Sequence, residues 1–303
     1  MFFVRFWGVR GSIPCPGPDT VKYGGNTTCL EIRADKRLII IDLGTGAKPL
    51  ADFLMANDSK QGPLDIDIFI THTHWDHIMG FPMFAPVFVP GTKLRIRGPV
   101  SYNDDTLASI IGDQLSYRYW PVRQSELSAK IEYMELKEIS VDLGDGLKVR
   151  TKYLNHPILC LGYRFEYQGK SIVTAFDHEP FRNLFPTDPQ DPNYIEEAAI
   201  DGEEAAKEEN EKMLNFCKDS DILIHDAQYT AEEFEKHLGW GHSSYNYAME
   251  VANQSNVKKL VFFHHDPNYK DKKLESIEEQ CKNDAKGKSF EIIMAREGLK
   301  IEV

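Results

Sequence analysis

The chain has 303 residues, and its 42% hydrophobic content, with 17 Phe, 13 Tyr and 4 Trp, is enough for a large core. Its formal charge is −12, and its basic residues form no run longer than the pairs Lys258-Lys259 and Lys272-Lys273. Long nucleic acids are gripped by Lys/Arg contacts to phosphates, so this balance argues against a large nucleic-acid partner while leaving a small anion compatible.

In chain order, the residues predict strands at Phe3–Trp7, Cys29–Arg33, Leu38–Asp42, Asp67–Thr71, Lys93–Arg97, Lys148–Leu154, Tyr163–Tyr167, Ser171–Phe176, Asp221–His225, Lys259–Phe263 and Phe290–Met294. Gln168-Gly169-Lys170 reads as a hairpin turn. Helical patterns fall at Ala47–Ala56, Asp104–Gln114, Ile195–Cys217, Ala231–His237, Ser244–Gln254 and Leu274–Asp284, with Asp104 and Ser244 as caps. The acidic run from Glu196 to Glu211 reads as a solvated helix face and not as a metal site. Strand-rich halves, each followed by helices, predict an α/β (α+β) chain in which two sheets pack face to face with helices outside. No linker interrupts residues 1–303, so one domain is expected, with Ser101–Lys130 as a lid or dimer-forming insertion carrying Tyr102, Tyr117, Tyr119 and Trp120. The five cysteines are odd in number, widely spaced and contain no Cys-x-x-Cys pair, which predicts a reducing compartment. The first residues lack signal-peptide character and no segment approaches ~18 apolar residues, so a cytoplasmic protein without membrane contact is expected.

The run Thr71-His72-Thr73-His74-Trp75-Asp76-His77 carries the most chemistry. Imidazole nitrogens and carboxylate oxygens suit zinc and similar divalent ions, and this loop offers more ligands than one ion needs. In an extended turn His72 and His74 project one way, and Asp76 and His77 face a second ion. Further candidate ligands lie just past predicted strands: Asp42, His156, Asp177 and His264. Loops at strand ends are where sites are built, so these positions are expected to converge on one edge of the fold.

These segments resemble, in order, the five motifs of the metallo-β-lactamase superfamily: Leu38–Gly44, His72–His77, Asn155-His156-Pro157, Thr174–Asp177 and Leu260–His264. The resemblance implies a four-layer αββα sandwich with a two-metal centre, zinc first and manganese or iron as alternatives. It assigns His72, His74 and His156 to one ion, Asp76, His77 and His264 to the other, and Asp177 to both. Asp42 takes the place of a residue that orients the ligand loops. His264 fits the fifth motif better than its neighbour His265. Relatives with a redox di-iron centre typically carry Glu where His74 stands, so His74 points to hydrolysis.

Gly239-Trp240-Gly241-His242-Ser243-Ser244 and Asp221–Ala227 resemble the ribonuclease Z-like phosphodiesterase branch, with Asp226 where that branch has Glu. That likeness makes His242 the group that protonates the leaving oxygen, Asp226 its carboxylate partner, and Asp76 a residue shared by catalysis and metal binding. Trp7–Pro14 and Tyr23–Cys29 resemble the opening of the same branch, where Asn26 and Thr27 either face substrate or, equally, serve a turn. The tRNA-processing members insert a long arm between the third and fourth motifs; here only 21 positions separate His156 from Asp177. The expected function is therefore hydrolysis of a small anionic phosphodiester, a 3′,5′-cyclic nucleotide first, by a binuclear enzyme of a kind that is often homodimeric. A phosphoribosyl cyclic phosphate, a 2′,3′-cyclic nucleotide or an RNA 3′ end are alternative substrates. A non-catalytic sensor of a cyclic nucleotide or metal is the alternative of another class.

Overall fold

The computed structural model describes residues 1–100 and 105–303. One sheet collects β1 (Phe2–Gly8), β2 (Cys29–Ala34), β3 (Arg37–Ile41), β4 (Asp65–Phe69), β5 (Lys93–Pro99) and β6 (Lys130–Leu136). The second collects β7 (Ser140–Gly144), β8 (Leu147–Leu154), β9 (Cys160–Tyr167), β10 (Lys170–Ala175), β11 (Ile222–Asp226), β12 (Lys259–Phe263) and β13 (Glu291–Met294). The last strand, β14 (Lys300–Glu302), returns to the first sheet beside β1. The helices are α1 (Ala47–Ala56), α2 (Trp75–Ile78), α3 (Leu107–Asp113), α4 (Glu196–Cys217), α5 (Ala231–Phe234), α6 (Tyr245–Gln254) and α7 (Asp271–Asp284).

The strands explain the layering. In β3, Ile39 and Ile41 enter the core between the sheets, while Leu38 and Ile40 enter a second core beneath α1. In β12, Val261 and Phe263 face the other sheet, and Leu260 and Phe262 face α6 and α7. A strand covered on both faces reads as an unbroken apolar run, as both segments do. Between the sheets, Phe69 of β4 meets Tyr163 and Phe165 of β9 edge-on, with centroids 5.1 and 5.3 Å apart. Three apolar cores thus separate four layers, giving the αββα sandwich.

Topology sets where the loops go. β3 and β4 run parallel, as do β10, β11 and β12. β8 is antiparallel to β9, which is antiparallel to β10, so β8 points the same way as β10. The segments after β8, β10, β11 and β12 therefore leave from one edge of their sheet.

Three strands escape the sequence pattern: β6, β7 and β14. All three are edge strands, and Lys130-Ile131-Glu132-Tyr133-Met134-Glu135-Leu136 shows the charged composition that protects an edge from pairing. Tyr102 and the expected cap Asp104 lie outside the described residues. α3 instead starts at Leu107 and is capped by Thr106, whose hydroxyl accepts from the Ser109 amide. Gln168 and Gly169 both have positive φ, 50° and 74°, as a two-residue hairpin loop requires. Among the described residues no helix is long and apolar enough to cross a membrane.

Candidate metal centre

The run after β4 is not extended throughout. His74 keeps an extended backbone and precedes α2, so Trp75–Ile78 form one short helical turn. That turn carries Asp76 and His77 into the interior, both buried. Asp42, Asp177 and His264, each just past a strand, adopt left-handed backbone with φ of 59°, 49° and 62°. A non-glycine residue pays for that conformation, and such residues collect at functional sites.

Two groups of side chains result. His72 Nε2 lies 3.0 Å from His74 Nδ1, which lies 3.1 Å from His156 Nε2. Asp177 Oδ2 is 3.5 Å from His72 and 4.0 Å from His156. In the second group His77 Nε2 is 3.3 Å from His264 Nε2, and Asp76 Oδ2 is 3.3 and 3.1 Å from those two nitrogens. Asp177 Oδ1 is 3.3 and 3.4 Å from the same pair. Ligands ~2.0–2.1 Å from a tetrahedral ion stand roughly 3.3–3.4 Å apart, and these five separations in the second group, 3.1–3.4 Å, are close to that spacing. Asp177 Oδ1 is buried and makes no hydrogen bond despite these neighbours, which fits an oxygen shaped to meet a cation.

Electrostatics separates the groups. Burial pulls His72 well below the ordinary imidazole value and His156 down to about 4. His77 is also penalised by burial, but Asp177, Asp76 and Asp42 overcome it and raise it well above that value. Burial opposes ionisation of Asp76, yet His77 and His264 hold its carboxyl far below the carboxylate range. The first group is thus already in the neutral state a metal needs, and the second holds an excess of negative charge that a dication would offset.

The surroundings fix each ring. His77 Nδ1 meets Asp42 Oδ2 at 2.7 Å, and Asp42 also accepts from the Thr71 amide and hydroxyl. His156 Nδ1 meets the Gly241 carbonyl at 3.0 Å, and His264 Nδ1 meets Gln228 Oε1 at 3.0 Å. A ring nitrogen tied to an oxygen presents its other nitrogen as the ligand. His264 faces the cluster, whereas His265 turns away to meet the Ala295 carbonyl.

Beside the second group, His242 Nδ1 lies 2.9 Å from Asp226 Oδ2, and its ring stacks on His264 at 5.0 Å. Asp226 also accepts from the amides of His178, Gln228 and Ser243. The shorter Asp in place of Glu therefore still reaches. Burial lowers the His242 pKa, but Asp226, then Asp177 and Asp76, push it up to about 9.

For Asn26 and Thr27 the contacts are those of the turn role. Asn26 Nδ2 donates to Glu297, and the fully buried Thr27 hydroxyl accepts from the Thr45 amide, so both side chains brace loops and neither meets the cluster. Sequence reasoning missed four contributors. Gln228 orients His264. Glu179, buried, accepts from the amides of Gly239 and Gly241 and so holds the loop carrying His242. The Ser12 amide donates to Asp76 at 2.7 Å. Gly11 packs so closely on His264 that an added Cβ would sit 2.4 Å from its ring. Only the glycines left a signal, because close backbone approach excludes a side chain.

Residues 23–145 match the family model described as the metallo-beta-lactamase superfamily. Ribonuclease Z from Staphylococcus haemolyticus is 25% identical, over 96% of this chain and 97% of that protein. Ribonuclease Z from Lactococcus lactis is 29% identical, over 65% of this chain and 69% of that protein. Among solved structures, the short form of human tRNase Z has a TM-score of 0.62 at 18% identity, over 99% of each chain. The metallo-beta-lactamase fold protein YhfI from Bacillus subtilis has a TM-score of 0.64 at 15% identity, over 100% of this chain and 99% of that one. The structural likenesses, both under 25% identical, carry the fold, and the metallo-beta-lactamase superfamily model matches this chain over residues 23–145.

Proposed function

We propose that the chain is a binuclear phosphodiesterase acting on a small phosphodiester, with a 3′,5′-cyclic nucleotide as the leading substrate. The observation that carries this reading is the His242–Asp226 pair, 2.9 Å apart, with the His242 ring stacked on His264 of the second ligand group. Two divalent cations, zinc first and manganese or iron next, would supply a water of lowered pKa and positive charge opposite the phosphoryl oxygens. His72, His74 and His156 would hold one, Asp76, His77 and His264 the other, and Asp177 would reach both through its two oxygens.

His242 has the protein's remaining part in the reaction. Asp226 binds Nδ1 and stabilises the protonated ring, so Nε2 can donate to the departing alkoxide as the P–O bond breaks. The oxygen of water ends on phosphorus, and the product is a monoester. The net charge of −12 and the plain β9–β10 hairpin between His156 and Asp177 support a small substrate. A second reading, cleavage at an RNA 3′ end, draws on the relatives named ribonuclease Z. A non-catalytic sensor would keep its metals and turn over no phosphodiester.

His242→Ala tests the assignment. Turnover should fall by roughly 10²–10⁴ while two metals per chain remain bound. Loss of metal from this variant would instead place His242 among the ligands.

A further inference from the structure

α2 has two faces. Asp76 and His77 turn inward to the ligand groups, while Trp75, Ile78 and Met79, at i, i+3 and i+4, share the opposite face. Ile110, Asp113 and Gln114 have the same spacing on and just beyond α3. The two faces line an open cavity of roughly 560 Å³, to which Met83, Tyr119 and Trp120 also contribute. Thr73, which lies between His72 and His74 in the chain, also lines it, so the cavity adjoins the metal centre. Its size falls within the ~300–1,000 Å³ of small-molecule sites.

The lining selects the kind of group. Trp75 is 76% exposed and Tyr119 is 78% exposed, so both rings present open faces. The Asp113 carboxylate would repel a phosphate, which excludes the anionic part of a substrate from this cavity. Asp113, Gln114 and the Thr73 hydroxyl instead offer acceptors to an uncharged ring carrying N–H donors. A flat aromatic face with an apolar floor and acceptors at its wall suits a nucleobase.

We propose that this cavity is the base subsite of the enzyme, holding an amino-bearing nucleobase against Trp75 while the phosphodiester lies over the metals. The inference rests on the phosphodiester reading of the centre. It makes a nucleotide the substrate class and disfavours a phosphoribosyl cyclic phosphate, which has no base.

The test is calorimetric titration of the metal-loaded full chain with adenosine 5′-monophosphate and, separately, ribose 5-phosphate. Base–aromatic stacking of ~1–3 kcal/mol corresponds to a 5- to 150-fold preference for the nucleotide, which Trp75→Ala and Tyr119→Ala should each reduce without changing ribose 5-phosphate affinity or metal content. Tyr119→Ala guards against disturbance of the metal loop by the Trp75 change. Equal affinities in the unaltered protein would overturn the base subsite and leave the metal centre standing. Binding of neither ligand by protein that carries its metals would overturn both readings. Variants that retain the preference but lose self-association would reassign the surface to a second copy of the chain.

Discussion

Gly11→Ala would place a methyl group 2.4 Å from both Nδ1 and Cε1 of His264. Ordinary van der Waals contact begins near 3.4 Å, so the ring would have to retreat by about 1 Å. Metal–nitrogen distances tolerate ~0.2 Å, several times less than that displacement. His264 would also lose its 3.0 Å contact with Gln228. Losing a residue that merely orients a ligand typically weakens a metal 10–100-fold, and here the ligand itself moves. The second ion should therefore bind at least 100-fold more weakly, a loss of about 2.7 kcal/mol, while the His72–His74–His156 ion stays. Chelator competition with elemental analysis should show stoichiometry falling from two metals to one. Gly17→Ala, where an added Cβ meets nothing within 4 Å, is the control. Two metals held at unaltered affinity in Gly11→Ala would refute the geometry assigned to His264.

Asp226→Asn should lower turnover by roughly 10²-fold or more at full metal content. Because the acid must be protonated, the alkaline limb of the pH profile should also move to lower pH; an unmoved limb would separate Asp226 from the titrating group. Glu179→Ala frees the Gly239 and Gly241 amides, and Gly241 carries the carbonyl that orients His156. Turnover and affinity for the first ion should fall together, which kinetics and chelator titration would measure. Asp67, buried among Arg37, Arg95 and Arg97, is penalised by burial, but the Arg95 and Arg97 interactions hold its carboxyl below the usual range. Its contribution is present above the unfolded value of ~3.9 and is lost as pH falls through the lower folded value. Asp67→Ala should cost about 3 kcal/mol at pH 7, with arginines partly open to solvent keeping it from the top of the buried-pair range, and the gap in denaturant melts should narrow below about pH 4. Removal of metals by chelation should abolish turnover, and zinc, manganese and iron added back singly would rank the native ion.

Much of the centre was legible because its ligands sit beside apolar runs. Leu38–Ile41 and Leu260–Phe263 are buried on both faces, so they read as strands, and the residues after them inherit a place at a sheet edge. Order along the chain did the rest for His156 and Asp177, whose own surroundings carry no distinctive pattern. What stayed hidden depends on three-dimensional approach. Gln228, Glu179 and the Ser12 amide act across sequence separations of 36, 60 and 64 residues, and no local spacing encodes such pairs. Asn26 and Thr27 left two readings open for the related reason that polar residues near a glycine-rich loop serve backbone bracing as readily as substrate. The two faces of α2 were obscured because four residues are too few to show helical periodicity.

The most direct test is ³¹P NMR of metal-reconstituted protein incubated with 3′,5′-cyclic, 2′,3′-cyclic and phosphoribosyl cyclic phosphates. Hydrolysis at the two-metal centre predicts conversion of the 3′,5′-cyclic nucleotide to a monoester, abolished in Asp177→Ala. Persistence of every resonance while two metals per chain remain bound would contradict it.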